Sequence, residues 1–192
     1  MSGDGGASRR LVPSGGDGGA SRRLVPDGGE TGTGVFVAHT GSPDGTRALG
    51  EALGRVLRAR DARGGVVALT GPLGAGKTCF VQGLARGLGA GGYVRSPTFI
   101  LVHHYPGPLP LYHVDLYRVG PSDLDALGLE EIMEGDGVTA IEWAAAPALP
   151  ADHLSVEFAF GTDENARTLR IGAAGERSRR ILDELRPCAS SR

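Results

Sequence analysis

The chain has 192 residues, a formal net charge of −2 and 40% apolar residues, enough for one domain with its own core. No apolar run approaches the ~20 residues that a membrane span needs, and no global basic field is present to recruit nucleic acid. The two cysteines, Cys79 and Cys188, are too few for a disulfide framework, and the N-terminus has no continuous apolar segment, so a cytoplasmic protein with reduced thiols is expected.

The first stretch holds a direct repeat: Gly3–Pro13 and Gly16–Pro26 both read GDGGASRRLVP. Ten of the first 32 residues are glycine, and without helical or strand periodicity residues 1–32 read as a disordered tail. Such a tail cannot bury enough surface to offset its ordering entropy. Its paired arginines, Arg9-Arg10 and Arg22-Arg23, read as solvated charge rather than an RNA contact. Residues 33–186 are expected to form one folded domain, with 187–192 as a second flexible tail. Val35–Ala38 is a short apolar strand, and Ser42-Pro43 supplies a helix cap followed by proline at the first helical position. Leu49, Leu53, Val56 and Leu57 then mark one helical face that stops before Gly64-Gly65. Val66–Leu69 is uniformly apolar, which predicts a central strand buried on both faces.

Gly71-Pro72-Leu73-Gly74-Ala75-Gly76-Lys77-Thr78 follows at once, matching GxxxxGK[ST] in the required context of strand before and helix after. The glycines let backbone N–H groups turn inward as an anion nest, and the helix N-terminus adds its positive end. Lys77 is expected at the β- and γ-phosphates of a nucleoside triphosphate, and the Thr78 hydroxyl at its Mg2+. Lys77 is also the sole lysine, the other 19 of the 20 basic residues being arginine. A compact ammonium threads into a backbone cradle that a planar guanidinium would displace. The Asn-Lys-x-Asp segment with which Ras-like proteins select guanine therefore cannot occur, so ATP is favoured over a guanine nucleotide.

The helix from Thr78 presents Phe80, Val81, Leu84 and Leu88 and ends at Gly89. Phe99–Tyr105 and Leu111–Leu116, joined by Pro106-Gly107-Pro108, predict a hairpin. Ser122–Met133 is a broken helical region, Val138–Glu142 a strand, Leu154–Phe160 and Thr168–Ile171 late strands, and Glu176–Leu185 a closing helix. The alternation predicts an α/β layered domain with a mostly parallel central sheet and helices on both faces. Asp115 and Glu142 each close a strand, at the edge where open α/β sheets bind ligands, and at least one of them is expected at the metal. Ser96-Pro97-Thr98-Phe99 could present hydroxyls to a γ-phosphate, though its spacing alone reads as a proline turn into a strand. His103, His104 and His113 read as packing or surface residues, since adjacent histidines on a strand point to opposite faces.

GPLGAGKT, SPTF, YHVDLYR and IEW, in that order, resemble the bacterial TsaE family, the ATPase of tRNA threonylcarbamoyladenosine biosynthesis. The similarity runs from about Val35 to Arg170. It implies a compact P-loop ATPase, weak alone and stimulated by partners, that resets a TsaB–TsaD complex modifying adenosine 37 of tRNA. It implies that Leu73, Gly74, Ala75, Gly76, Lys77 and Thr78 hold the phosphates, that Thr78 and Glu142 are Mg2+ ligands, and that Asp115 is the strand-end acid near the nucleotide. Pro43 falls where the adenine is approached, and Arg167, with Arg170 close by, aligns with a late arginine on the nucleotide. Pro72 departs from a common acid, Cys79 from a second threonine and Ala144 from a frequent proline. Two other readings share the phosphate loop: a small kinase, disfavoured by the absence of arginine between Ser122 and Gly137, and a non-hydrolysing nucleotide-gated module.

Overall fold

The computed structural model describes residues 34–95, 101–119, 128–144 and 149–190. The repeat tail, the Ser96–Phe99 segment and residues 122–127 lie outside them. The strands are β1 (Val35–Thr40), β2 (Gly65–Thr70), β3 (Val102–Tyr105), β4 (Leu111–Asp115), β5 (Val138–Glu142), β6 (Leu154–Phe160) and β7 (Arg167–Ala173). Among the described residues they form one seven-stranded sheet in the order β1-β7-β6-β2-β5-β4-β3. The central strands β6, β2, β5 and β4 run parallel, while β1, β7 and β3 pair antiparallel toward the edges.

Helices α1 (Pro43–Ala59), α2 (Lys77–Leu88) and α4 (Glu176–Ser190) cover one face, and short α3 (Leu129–Met133) lies on the other. The apolar run of β2 is thereby explained. Val67 and Leu69 pack under α1 and α2, whereas Val66 joins Val114, Ile141, Leu129 and Met133 on the opposite side. The α1 start follows the local signal: the Ser42 hydroxyl accepts the Gly45 N–H at 3.1 Å, and Pro43 occupies the first turn.

The largest helix contact is one that apolar periodicity does not reveal. Gly50 and Gly54 of α1 face Gly83 and Gly87 of α2, and the two backbones touch. A Cβ on Gly83 would lie 1.9 Å from the Arg47 carbonyl oxygen, and one on Gly50 would lie 2.2 Å from that of Phe80. At Gly54 and Gly87 the corresponding distances to Leu84 and Glu51 oxygens are 2.4 and 2.3 Å. Such proximity permits dense dispersion and Cα–H···O contacts that a single methyl would remove.

Helix α4 starts on a cap from another element. Asp152 accepts the Arg177 and Ser178 N–H groups at 2.9 and 3.0 Å, and the Ser178 hydroxyl accepts the Gly175 N–H at 3.0 Å. The helix continues past the expected end at Leu185 to Ser190, carrying Pro187 inside it. Ala189 is buried in the main core, so tertiary packing overrides the local penalty of the proline.

Gly83→Ala is expected to lower stability by about 3 kcal/mol, the upper end for forced overpacking. Gly45→Ala, where a Cβ would make ordinary contacts with the Thr40 Cβ at 3.4 Å and the Ser42 hydroxyl at 3.5 Å, should change it by ~1 kcal/mol or less. Urea midpoints of both variants check this. For Asp152, burial raises the carboxyl pKa, but its hydrogen bonds to Ser178 and Arg177 and the Arg177 charge outweigh it and hold the value below the ordinary one. A depressed folded-state pKa gives stability that is present above the unfolded value and lost as pH falls through the folded one. Asp152→Ala should therefore cost about 1 kcal/mol at neutral pH, and the gap from wild type should close in acid, as read by denaturation at both pH values.

Candidate nucleotide-binding site

Strand β2 ends at Thr70 and the chain reverses through Gly71–Gly76 into α2. Gly74 (φ 75°) and Gly76 (φ 100°) take left-handed backbone conformations that a side chain would strain. Gly76 is the α2 N-cap and supplies no capping side chain, so the first-turn N–H groups are left for an anion. Behind the loop, Gly71 lies against β6, where a Cβ would meet the Phe158 carbonyl oxygen at 2.5 Å.

Lys77 is buried, and its Nζ donates to the Gly71 and Pro72 carbonyls at 2.8 and 3.0 Å. The same ammonium stands 3.8 Å from the centroid of the Trp143 ring. Burial pushes the Lys77 pKa down, while Glu142 and Asp115 act in the opposite direction. Trp143 itself has φ 61°, unusual for a bulky residue. Its N–H is anchored on the Leu69 carbonyl at 2.9 Å, and its ring packs on Tyr117 with centroids 4.8 Å apart.

Parallel pairing of β4 with β5 sets Asp115 directly opposite Glu142. Glu142 is buried, and its Oε1 accepts the Thr78 hydroxyl at 2.8 Å and His113 Nε2 at 2.9 Å. Donating its proton leaves the Thr78 oxygen's lone pairs available to a cation. Asp115 Oδ1 accepts the Tyr117 N–H at 3.0 Å. Leu73, Lys77, Thr78, Asp115, Glu142 and Trp143 are among the residues around one cavity of about 490 Å³. Among the described residues no cluster of three or more His, Cys, Asp or Glu forms a metal cage. The hydroxyl and carboxylate oxygens at the cavity instead suit a hard cation shared with phosphates, as Mg2+ is bound.

The expected residues are not all in that cavity wall. Gly74, Gly76, Lys77, Thr78, Asp115 and Glu142 line it, whereas Ala75 is buried behind the loop. Pro43 is exposed at the α1 start. Its neighbour Thr46 approaches the loop, with Cγ2 3.7 Å from where a Gly76 Cβ would lie. Arg167 braces the loop from outside, donating to the Ala75 and Gly74 carbonyls at 3.2 and 3.3 Å. Arg170 instead faces Glu157 across β6 and β7 at 3.9 Å. His103 and His104 stack on Tyr105 and Tyr112, but His113 reaches Glu142. The period of two that places Leu111, His113 and Asp115 on one side of β4 is the signal for it in the sequence.

The model of the family described as "Threonylcarbamoyl adenosine biosynthesis protein TsaE" matches residues 40–169. The chain belongs to the TsaE family. It is 38% identical over 149 residues to the tRNA threonylcarbamoyladenosine biosynthesis protein TsaE of Bacillus subtilis, covering 76% of this chain and 90% of that protein. Identity to the same-named protein of a Nostoc species is 42% over 134 residues, covering 67% and 80% respectively. The crystal structure of Bacillus subtilis YdiB superposes with a TM-score of 0.67 at 32% identity, over 80% of this chain and 95% of that one. The TsaE fold is accordingly P-loop NTPase-like here, a mixed sheet with parallel central strands. No described helix is long and apolar enough to cross a membrane.

The different settings of the two late arginines predict different effects on nucleotide affinity. Arg167→Ala, which frees the loop carbonyls, should weaken it about tenfold, the scale of a charged hydrogen bond. Arg170→Ala should stay within about twofold, as expected of an exposed ion pair. Titration calorimetry of the two variants separates them.

Proposed function

We propose that this TsaE-family chain binds and hydrolyses ATP with Mg2+ and acts in forming N6-threonylcarbamoyladenosine at adenosine 37 of bacterial tRNA. In this reading it resets a TsaB–TsaD complex between turnovers and meets tRNA only through that complex, in the cytoplasm. The observation that carries the reading is the meeting of Thr78 with Glu142 at the mouth of the phosphate loop, 2.8 Å apart. The names of the curated relatives support the pathway.

Each residue has a distinct task. The loop from Leu73 to Thr78 holds phosphate oxygens on backbone N–H groups, and Lys77 exchanges its carbonyl partners for the β- and γ-phosphates. Thr78 and Glu142 hold the cation through oxygen; when bound, Mg2+ supplies charge neutralisation at the phosphates. Asp115, whose backbone pairs with Glu142 in register, orients the attacking water. Arg167 keeps the loop carbonyls in place from outside the cavity, and the α1 start at Pro43 borders the adenine. A dominant contribution from positioning fits a phosphoryl transfer in which the protein does little covalent chemistry.

Phosphate release should be slow for the protein alone and should rise when the TsaB–TsaD pair is added. Lys77→Ala should lower the stimulated rate about 100-fold or more with an unchanged circular dichroism spectrum. Glu142→Ala should shift the Mg2+ requirement further than Asp115→Ala does. A rate indifferent to the pair would remove the tRNA assignment, and transfer of phosphate to a small-molecule acceptor would make the chain a kinase.

A further inference from the structure

His113 lies outside every role described so far, yet it is the most completely enclosed polar residue at the site. It has 0% exposure, in the middle of β4 and on the side of the sheet that α2 covers. Its Nε2 stands 2.9 Å from Glu142 Oε1, the same oxygen that accepts the Thr78 hydroxyl. A carboxylate can only accept, so the ring must carry its proton on Nε2. Nδ1 then has no hydrogen-bond partner among the described residues. Burying a ring nitrogen without a partner is unfavourable, and an apolar side chain of similar size would fill the space without that cost. Packing therefore does not account for a histidine here. The hydrogen bond to Glu142 does.

We infer that His113 is a positioning residue for the Glu142 carboxylate, holding Oε1 so that the carboxylate stays oriented for a cation at Thr78. A glutamate side chain has several free torsions, and a single bond from Thr78 leaves the carboxylate able to swing about that contact. Two donors on one oxygen, one from α2 and one from β4, tie it to both the helix and the sheet. The second oxygen is then presented in one direction before any cation arrives, and the ordering entropy is spent in folding rather than in binding. Buried partners of metal-binding side chains act in this way generally, orienting a ligand they do not replace.

The inference rests on the Mg2+ reading given above, so its test separates the two. The sole tryptophan, Trp143, sits 3.8 Å from the Lys77 ammonium, and its fluorescence reports the site. Mg2+ and Mn2+ are titrated against the full chain with ADP present, following this signal. No metal dependence in the wild type would overturn the Mg2+ reading itself. With that dependence established, His113→Leu should weaken metal affinity about 10- to 100-fold, while ADP affinity in EDTA stays within about twofold. His113→Gln, which keeps an N–H donor at similar reach, should recover most of the loss. Equal metal affinity in all three proteins, or equal loss of metal-free ADP affinity, would overturn the positioning role.

The wild-type ring offers a check that needs no folded variant at position 113. Imidazole 15N spectra should show the proton on Nε2, with a resonance that moves on Glu142→Gln. A proton on Nδ1 alone would exclude the hydrogen bond and the inference with it.

Discussion

The approach of α1 to α2, with backbone oxygens in the space that glycine side chains leave empty, is the constraint on which the rest of the molecule depends. Helix α2 begins at Lys77, so its placement decides where Lys77 and Thr78 project. A helix pair separated by ordinary side chains packs at 8–10 Å, with distances set by the residues between. Backbone contact removes that latitude. A polar link joins the same pair, Arg47 Nε donating to Gln82 Oε1 at 2.9 Å, and Gln82 Nε2 in turn donates to the Val94 carbonyl beyond α2 at 3.0 Å. Beside it the Thr40 and Thr46 hydroxyls, 2.8 Å apart, join β1 to the start of α1.

On that frame the site gathers opposite charges around the buried Lys77. One ammonium faces the Glu142 and Asp115 carboxylates, and the loop carbonyls and the Trp143 ring hold it on the other sides. None of these contacts demands the bidentate geometry of a guanidinium, and a compact cation on a thin stem satisfies all of them. This accounts for a lysine in a chain that otherwise uses arginine for every positive charge. The left-handed backbone of Trp143 costs on the order of 1–2 kcal/mol. Its N–H bond to Leu69 and its ring contacts with Lys77 and Tyr117 offset that strain. Residue 143 thus turns the chain sharply at the end of β5 while keeping its ring over the lysine.

The elements that were legible in the sequence are those whose signal is local. Strand β5 at Val138–Glu142 and strand β6 at Leu154–Phe160 match their expected bounds because apolar runs and strict alternation record how many faces are covered. The hairpin of β3 and β4 was announced by its proline-glycine turn, and α1 by its cap. Where the expected helix stopped at Leu185, the burial of Ala189 carried α4 onward to Ser190, since packing against the core is not visible in a helix's own residues.

The sequence by itself determined the phosphate loop, its lysine and hydroxyl, the doubly buried strand before it and the two strand-end acids, all from short-range spacing and residue chemistry. Only the tertiary structure decided which groups meet. Thr78 and Glu142 are 64 positions apart, and Arg167 is 92 from the Ala75 carbonyl it braces. Strand order and register bring Asp115 opposite Glu142, give His113 its carboxylate and send Arg170 to Glu157 instead of the loop. Periodicity states which side of an element is buried, but the partner across that surface is chosen by how the elements pack together, and chain spacing carries no record of that distance.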